Sequence, residues 1–150
     1  MKNIYYSYEA FRQDLKDLTQ KIDEPFDTII GIARGGLSMA QLLSEYYNIR
    51  RVYTLNTIGY DGQEKREGVE VFALPPLDAS TKRVLIVDDI VDSGETLEEV
   101  LSLLENAYPH IIFYSATIFY KKSAKIAPTW FIREPKGWVD FFWSEDIKGN

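Results

Sequence analysis

Val84-Leu85-Ile86-Val87-Asp88-Asp89-Ile90-Val91-Asp92-Ser93-Gly94-Glu95-Thr96 is the stretch that decides how this chain folds. Four apolar residues run into two acids, then into a short polar turn, then into Leu97-Glu98-Glu99-Val100-Leu101. An unbroken apolar run of this length suits a strand buried on both faces of a parallel sheet. A polar loop and a helix over 95–107 follow from the change of period. Carboxylates and anion-binding groups then meet at the carboxyl end of a strand, where open α/β sheets take their ligands. The plain alternative is a strand, loop and helix in which Ser93 or Asp92 serves only as a cap. Adjacent carboxylates repel and lose hydration at such a place, which weakens a purely structural account of both. The segment asks for a ligand carrying a phosphate together with hydroxyls or a metal.

Outward from this stretch the elements alternate. Ser7 caps a helix whose apolar stripe is Phe11, Leu15, Leu18 and Ile22, and Pro25 ends it. Thr28–Ala33 reads as a short strand, Leu37–Tyr47 as a helix and Val52–Asn56 as the next strand. The polar, glycine-bracketed segment from Gly59 to Gly68 reads as a mobile loop. Ile111–Tyr120 is a further strand, and 129–132 and 139–142 are late strands split by Pro135-Lys136-Gly137. This order predicts an α/β fold with a parallel, doubly wound sheet covered by helices on both faces.

A second constellation lies one unit earlier, at Gly31-Ile32-Ala33-Arg34-Gly35-Gly36-Leu37. A strand ends at a basic residue, and two glycines let the backbone approach a ligand before a helix begins. Exposed amides, a helix N-terminus and a guanidinium suit a pyrophosphate. A plain glycine-rich turn is the other reading. Neither the P-loop nor the dinucleotide spacing is present.

The acidic signature resembles that of type I phosphoribosyltransferases, and the resemblance spans about 29–143. It implies a parallel sheet with flanking helices in a single domain over 1–150, with a small hood from about 1–10 and 128–150. It implies transfer of a 5-phosphoribosyl group from 5-phosphoribosyl 1-diphosphate to a ring nitrogen, with release of pyrophosphate. Asp88 and Asp89 would hold the ribose hydroxyls, directly or through Mg2+, and Ser93, Gly94, Glu95 (by its backbone) and Thr96 the 5'-phosphate. Asp92 would be catalytic, exchanging a proton at nitrogen 7 of a purine. Arg34, Gly35 and Gly36 would bind pyrophosphate, with a cis peptide at Ala33–Arg34. Asp140 is a minor candidate for orienting the base edge or for a metal. The family is usually dimeric or tetrameric, which implies a homodimer or homotetramer. Members commonly carry Ser-Tyr at the start of the mobile loop. Here Gly59-Tyr60 stands there, and Lys65 and Arg66 remain to reach the leaving group or to form a solvated charge run.

A third constellation concerns the base. Lys121 stands at a strand end and can donate to a keto oxygen, whereas an exocyclic amine itself donates. The Trp138 indole offers a stacking face. Together they suggest a 6-oxopurine: guanine, xanthine or hypoxanthine. The order Lys121 then Trp138-Val139 resembles the short bacterial xanthine-guanine and hypoxanthine members, where the residue after the aromatic addresses the purine edge through its backbone. Against this, Lys122 and Lys125 make a solvated strand end plausible for Lys121, and Trp138 can serve hood or interface packing. Trp130 and Trp143 read as packing residues, and His110, beside Pro109, as a loop residue. The alternatives are a phosphoribosyltransferase for another base or a non-catalytic nucleotide-sensing regulator on the same fold.

Composition sets the outer limits. A chain of 150 residues, 45% hydrophobic and 14% aromatic, suits one domain with a real core. A net charge of -6 argues against a nucleic-acid partner but not against a small anion held by a local field. With no cysteine there is no thiol nucleophile, thiolate zinc or disulfide, which favours the cytoplasm. No secretion signal or membrane-span-length apolar run is evident.

Overall fold

The computed structural model describes residues 2–61 and 67–149. Eight strands and four helices follow in the order β1 (Asn3–Tyr6), α1 (Tyr8–Lys21), β2 (Thr28–Ala33), α2 (Leu37–Tyr47), β3 (Val52–Asp61), β4 (Glu67–Phe72), β5 (Arg83–Val91), α3 (Glu95–Ala107), β6 (Ile112–Tyr120), β7 (Trp130–Arg133), β8 (Trp138–Phe141) and α4 (Phe142–Glu145). The Ser7 hydroxyl caps α1 by accepting from the Ala10 amide at 3.1 Å.

Six strands form one sheet in the order β4-β3-β2-β5-β6-β7. All of its pairings are parallel except the antiparallel β3–β4 hairpin at one edge. The middle strands alternate their side chains between two cores. Ile29, Leu85, Val87, Ala116 and Ile118 pack with Phe11, Leu15 and Leu18 of α1 and Met39, Ala40 and Leu43 of α2. Ile30, Ile32, Leu55, Val84 and Ile86 pack with Leu97, Val100 and Leu104 of α3. Both faces of the sheet are therefore apolar, as the unbroken hydrophobic runs require.

Three expectations need correction. The segment read as a loop from Gly59 to Gly68 is entered from both sides by strand, because β3 continues to Asp61 and β4 begins at Glu67. Val69 and Val71 carry a period-2 signal that the flanking glycines obscured. Lys65 and Arg66 lie outside the described residues. The acids of the signature do not follow β5 but belong to it, since the strand runs on to Val91 and only Asp92–Gly94 form the turn. The last strand ends at Phe141, and Phe142 opens α4.

The amino-terminal strand forms a second sheet. β1 pairs in parallel with β8, in the register Asn3↔Trp138 to Tyr6↔Phe141. Tyr6, Val139, Phe141, Phe142 and Trp143 join the core on the α1 side, so the small sheet is continuous with the body. Trp143 stacks on Phe141 at 4.6 Å, and the Trp130 indole donates to Asp23, which makes both tryptophans packing residues as read from the sequence. His110 lies in the turn before β6.

Candidate active site

β2 and β5 are neighbours, yet the chain leaves them in opposite directions. From β2 it passes through α2 to β3, and from β5 through α3 to β6. The loops after the two strands diverge and leave a crevice, the switch point at which such sheets bind ligands. Both loops lead into helices without a side-chain cap. The N-cap of α2 is Gly36 and that of α3 is Gly94, so neither Ser93 nor Asp92 holds the cap position that the plain alternative gave it. The Gly36 and Leu37 amides donate to the Ile32 and Arg34 carbonyls, and the first-turn amides beyond them have no side-chain cap.

The β5 loop lines a cavity of about 230 Å³ formed by Asp88, Asp89, Ile90, Val91, Asp92, Ser93, Gly94, Thr96 and Leu97. Gly94 has φ 89°, a conformation open to glycine at little cost. A Cβ there would also stand 3.1 Å from the Ile126 and Lys125 amide nitrogens. The Glu95 amide donates to the Ser93 hydroxyl at 3.2 Å, while the Glu95 side chain points to solvent.

Asp88 and Asp89 stand side by side, both half-buried, and the Asp89 amide donates to Asp88 Oδ1 at 2.8 Å. Burial, and after it the charge of Asp89, hold the Asp88 carboxyl well above the ordinary carboxylate range. Burial raises Asp89 as well. Two carboxylates pushed up in this way are short of positive charge.

The Arg34-Gly35-Gly36 loop meets this acidic edge. A Cβ on Gly35 would fall 2.2 Å from Asp89 Oδ2, so the carboxylate lies directly over that backbone. One on Gly36 would fall 2.3 Å from the Val87 carbonyl oxygen. The Ala33–Arg34 peptide is cis, as the family resemblance implied. Arg34 is exposed and makes no ion pair among the described residues.

A second, larger cavity of about 550 Å³ adjoins the first. It is lined by Ile90, Asp92, Lys121, Pro135, Lys136, Gly137, Trp138, Val139 and Phe141. Ile90 and Asp92 belong to both linings. Lys121 follows β6, its amide donates to the Val91 carbonyl at 3.0 Å, and its Nζ lies 3.2 Å from Asp92 Oδ1. Trp138 is 63% exposed, so its indole is a free face rather than a packed one. Of the residues read as candidates, Arg34, Gly35, Gly36 and Glu95 line neither cavity, and neither does Asp140. Its Oδ2 accepts from the Asn3 amide at 3.2 Å across the β1–β8 pair. No cluster of three or more His, Cys, Asp or Glu fit to hold a metal occurs among the described residues.

Sequence reasoning missed the support of this second cavity. Asp14, 1% exposed on α1, receives the Tyr6 hydroxyl and, at 2.6 Å, an Arg133 guanidinium nitrogen. Burial and the Asp14 carboxylate push the Tyr6 phenol up, and hydrogen bonding to Asp14 raises Arg133. The cluster ties β1 and β7 to α1 at the foot of the turn that carries residues 135–138. A lone acid inside an apolar helical stripe was its only sequence signal.

Comparison with known proteins agrees with this geometry. The family described as the phosphoribosyl transferase domain matches residues 2–148. A xanthine-guanine phosphoribosyltransferase of Cereibacter sphaeroides is 32% identical over 151 residues, covering 95% of this chain and 87% of its own. The structure resembles that of the Helicobacter pylori xanthine-guanine-hypoxanthine phosphoribosyltransferase, with TM-score 0.91, 35% identity and 98% and 97% of the two chains covered. It also resembles a purine phosphoribosyltransferase from Pyrococcus horikoshii, with TM-score 0.79, 27% identity and 97% and 95% covered. No helix among the described residues is long and apolar enough to cross a membrane. With a crevice at the switch point of its sheet and a family match over nearly its whole length, this chain belongs to the phosphoribosyltransferases.

Proposed function

We propose that this enzyme transfers the phosphoribosyl group of 5-phosphoribosyl 1-diphosphate to a 6-oxopurine and releases pyrophosphate. The observation that carries the reading is the pair of cavities joined at Ile90 and Asp92: one polar and amide-lined, the other apolar with an open indole and a lysine. A sugar phosphate suits the first and a planar base the second, and the anomeric carbon then falls at the partition.

Each residue has a task in this reading. Ser93, Gly94, Glu95 and Thr96 hold the 5'-phosphate through amides and hydroxyls at the positive end of α3, the Glu95 amide exchanging the Ser93 hydroxyl for it. Arg34 and the Gly35 amide take the pyrophosphate, with Arg34 free to supply a guanidinium, and Gly36, whose amide donates to the Ile32 carbonyl, lets the backbone lie close to it. Asp88 and Asp89 hold the ribose hydroxyls. The same two carboxylates, short of positive charge, suit Mg2+, which favours one or two carboxylates plus phosphate oxygens. Bound there, it would neutralise charge on the departing pyrophosphate. Lys121 donates to the 6-oxo group, Trp138 stacks on the ring and the Val139 backbone addresses the edge near position 2.

Asp92 exchanges a proton at nitrogen 7, with the Lys121 ammonium beside it. As the base enters, Lys121 turns from Asp92 to the keto oxygen, so the two residues engage the purine together. Asp140 orients the base edge indirectly, by bracing β8 against β1. A cytoplasmic, homodimeric or homotetrameric enzyme fits these substrates and this family.

Steady-state kinetics with Mg2+, 5-phosphoribosyl 1-diphosphate and each of guanine, xanthine, hypoxanthine, adenine and orotate test the reading. Nucleotide is expected from the 6-oxopurines and not from adenine or orotate. Asp92→Asn should lower kcat by about two orders of magnitude with little change in KM for the sugar substrate. No nucleotide from any 6-oxopurine would favour the sensor alternative.

A further inference from the structure

Two lysines, Lys121 and Lys136, and one carboxylate, Asp92, line the cavity proposed for the purine. Among the carboxylates around it, Asp92 pairs with Lys121 at 3.2 Å and Glu134 lies 3.9 Å from Lys122. Asp140 accepts from Asn3. Lys136 lines the same cavity and makes no ion pair among the described residues.

Its position is fixed by the backbone on either side. Pro135, just before it, has its φ fixed by its ring. Gly137 after it is pressed so closely on β1 that a Cβ would fall 2.2 Å from the Lys2 carbonyl oxygen, which also accepts from the Trp138 amide at 3.2 Å. The remaining walls are Ile90, Trp138, Val139 and Phe141. Apolar walls screen a charge less than water does, so the field of one unpaired ammonium reaches the space where the base lies.

Lys121 and Trp138 cannot tell one oxopurine from another. All three present the 6-oxo group to Lys121 and a flat ring to Trp138. They differ in charge, because xanthine gives up a ring proton near neutral pH while guanine and hypoxanthine keep theirs to clearly higher pH. We propose that Lys136 is a specificity-determining residue that favours the xanthine anion over the neutral oxopurines. The inference rests on the purine reading above and adds to it a preference by charge.

The test compares Lys136→Met, Lys136→Arg and Lys136→Glu with the parent enzyme. The measured quantity is the ratio of kcat/KM for xanthine to that for guanine. The ratio should fall about tenfold in Lys136→Met, the size of one partly screened charge contact, and further in Lys136→Glu. It should be kept in Lys136→Arg. Calorimetric titration with xanthosine and guanosine monophosphates reads the same preference without turnover. A ratio unchanged in Lys136→Met and Lys136→Glu, or equal losses for both bases, overturns the inference while leaving the transferase reading intact. A parent enzyme that neither binds these nucleotides nor forms them overturns both.

Discussion

Gly35 and Gly36 are adjacent, yet a methyl group would meet a different obstacle at each. At Gly35 it meets the Asp89 carboxylate, a side chain that can rotate away. At Gly36 it meets the Val87 carbonyl and the Ile32 backbone, which cannot move without disturbing two strands of the sheet. Gly35→Ala should therefore leave thermal stability within a few degrees of the parent and lower kcat/KM for the sugar diphosphate about a hundredfold, by displacing Asp89. Gly36→Ala should cost about 2 kcal/mol or more in urea unfolding. The acids themselves yield a pH-dependent prediction. Below the ordinary value of 3.8 both folded and unfolded chains carry Asp88 protonated. Above it the unfolded chain ionises freely while the fold resists, so the wild-type residue destabilises the metal-free protein as pH rises. Asn at position 88 removes that penalty and retains the acceptor for the Asp89 amide. The Tm of Asp88→Asn, minus that of the parent, should grow in the variant's favour from pH 4 toward neutrality in scanning calorimetry.

Among the elements, the turn between β7 and β8 depends on groups remote from it in sequence. Asp14 on α1 holds Arg133 at the end of β7 and Tyr6 at the end of β1, and β1 in turn supports Gly137 and Trp138. Asp14→Ala would leave a buried phenol and a half-exposed guanidinium without their acceptor. A loss of about 2–4 kcal/mol is expected in urea unfolding, together with a raised KM for the purine and an unchanged KM for the sugar diphosphate. Tyr6→Phe should cost about 1 kcal/mol, because Arg133 keeps its partner. Elements defined by local pattern were legible in the sequence. Thr28–Ala33, Leu37–Tyr47 and Glu95–Ala107 have the bounds that their apolar periods and flanking glycines predict. β1 was not legible, since a four-residue strand rich in tyrosine declares itself only through its distant partner β8. The hairpin of β3 and β4 was hidden by Gly59 and Gly68, which read as loop punctuation. Candidate residues bunched in one segment, such as 88–96, could be placed from sequence. The Lys121–Asp92 pair and the Asp14 cluster join residues far apart along the chain and needed the fold.

For the molecule as a whole, the question is whether the small β1–β8 sheet is a separate body. All three tryptophans, Trp130, Trp138 and Trp143, lie in β7, β8 and α4. Tryptophan fluorescence thus follows that end of the molecule, while far-ultraviolet circular dichroism follows the sheet and the longer helices. Because Tyr6, Phe141 and Trp143 share one core with Phe11 and Phe119, both probes should show a single urea transition with the same midpoint. Midpoints that separate by more than experimental scatter would mean that this end opens by itself. The wall between the two cavities has a further consequence. Only Ile90 and Asp92 divide them, so a single inhibitor joining a phosphonate to a flat heterocycle through a short tether could occupy both at once. The tether would confer on the second contact the advantage of high effective concentration.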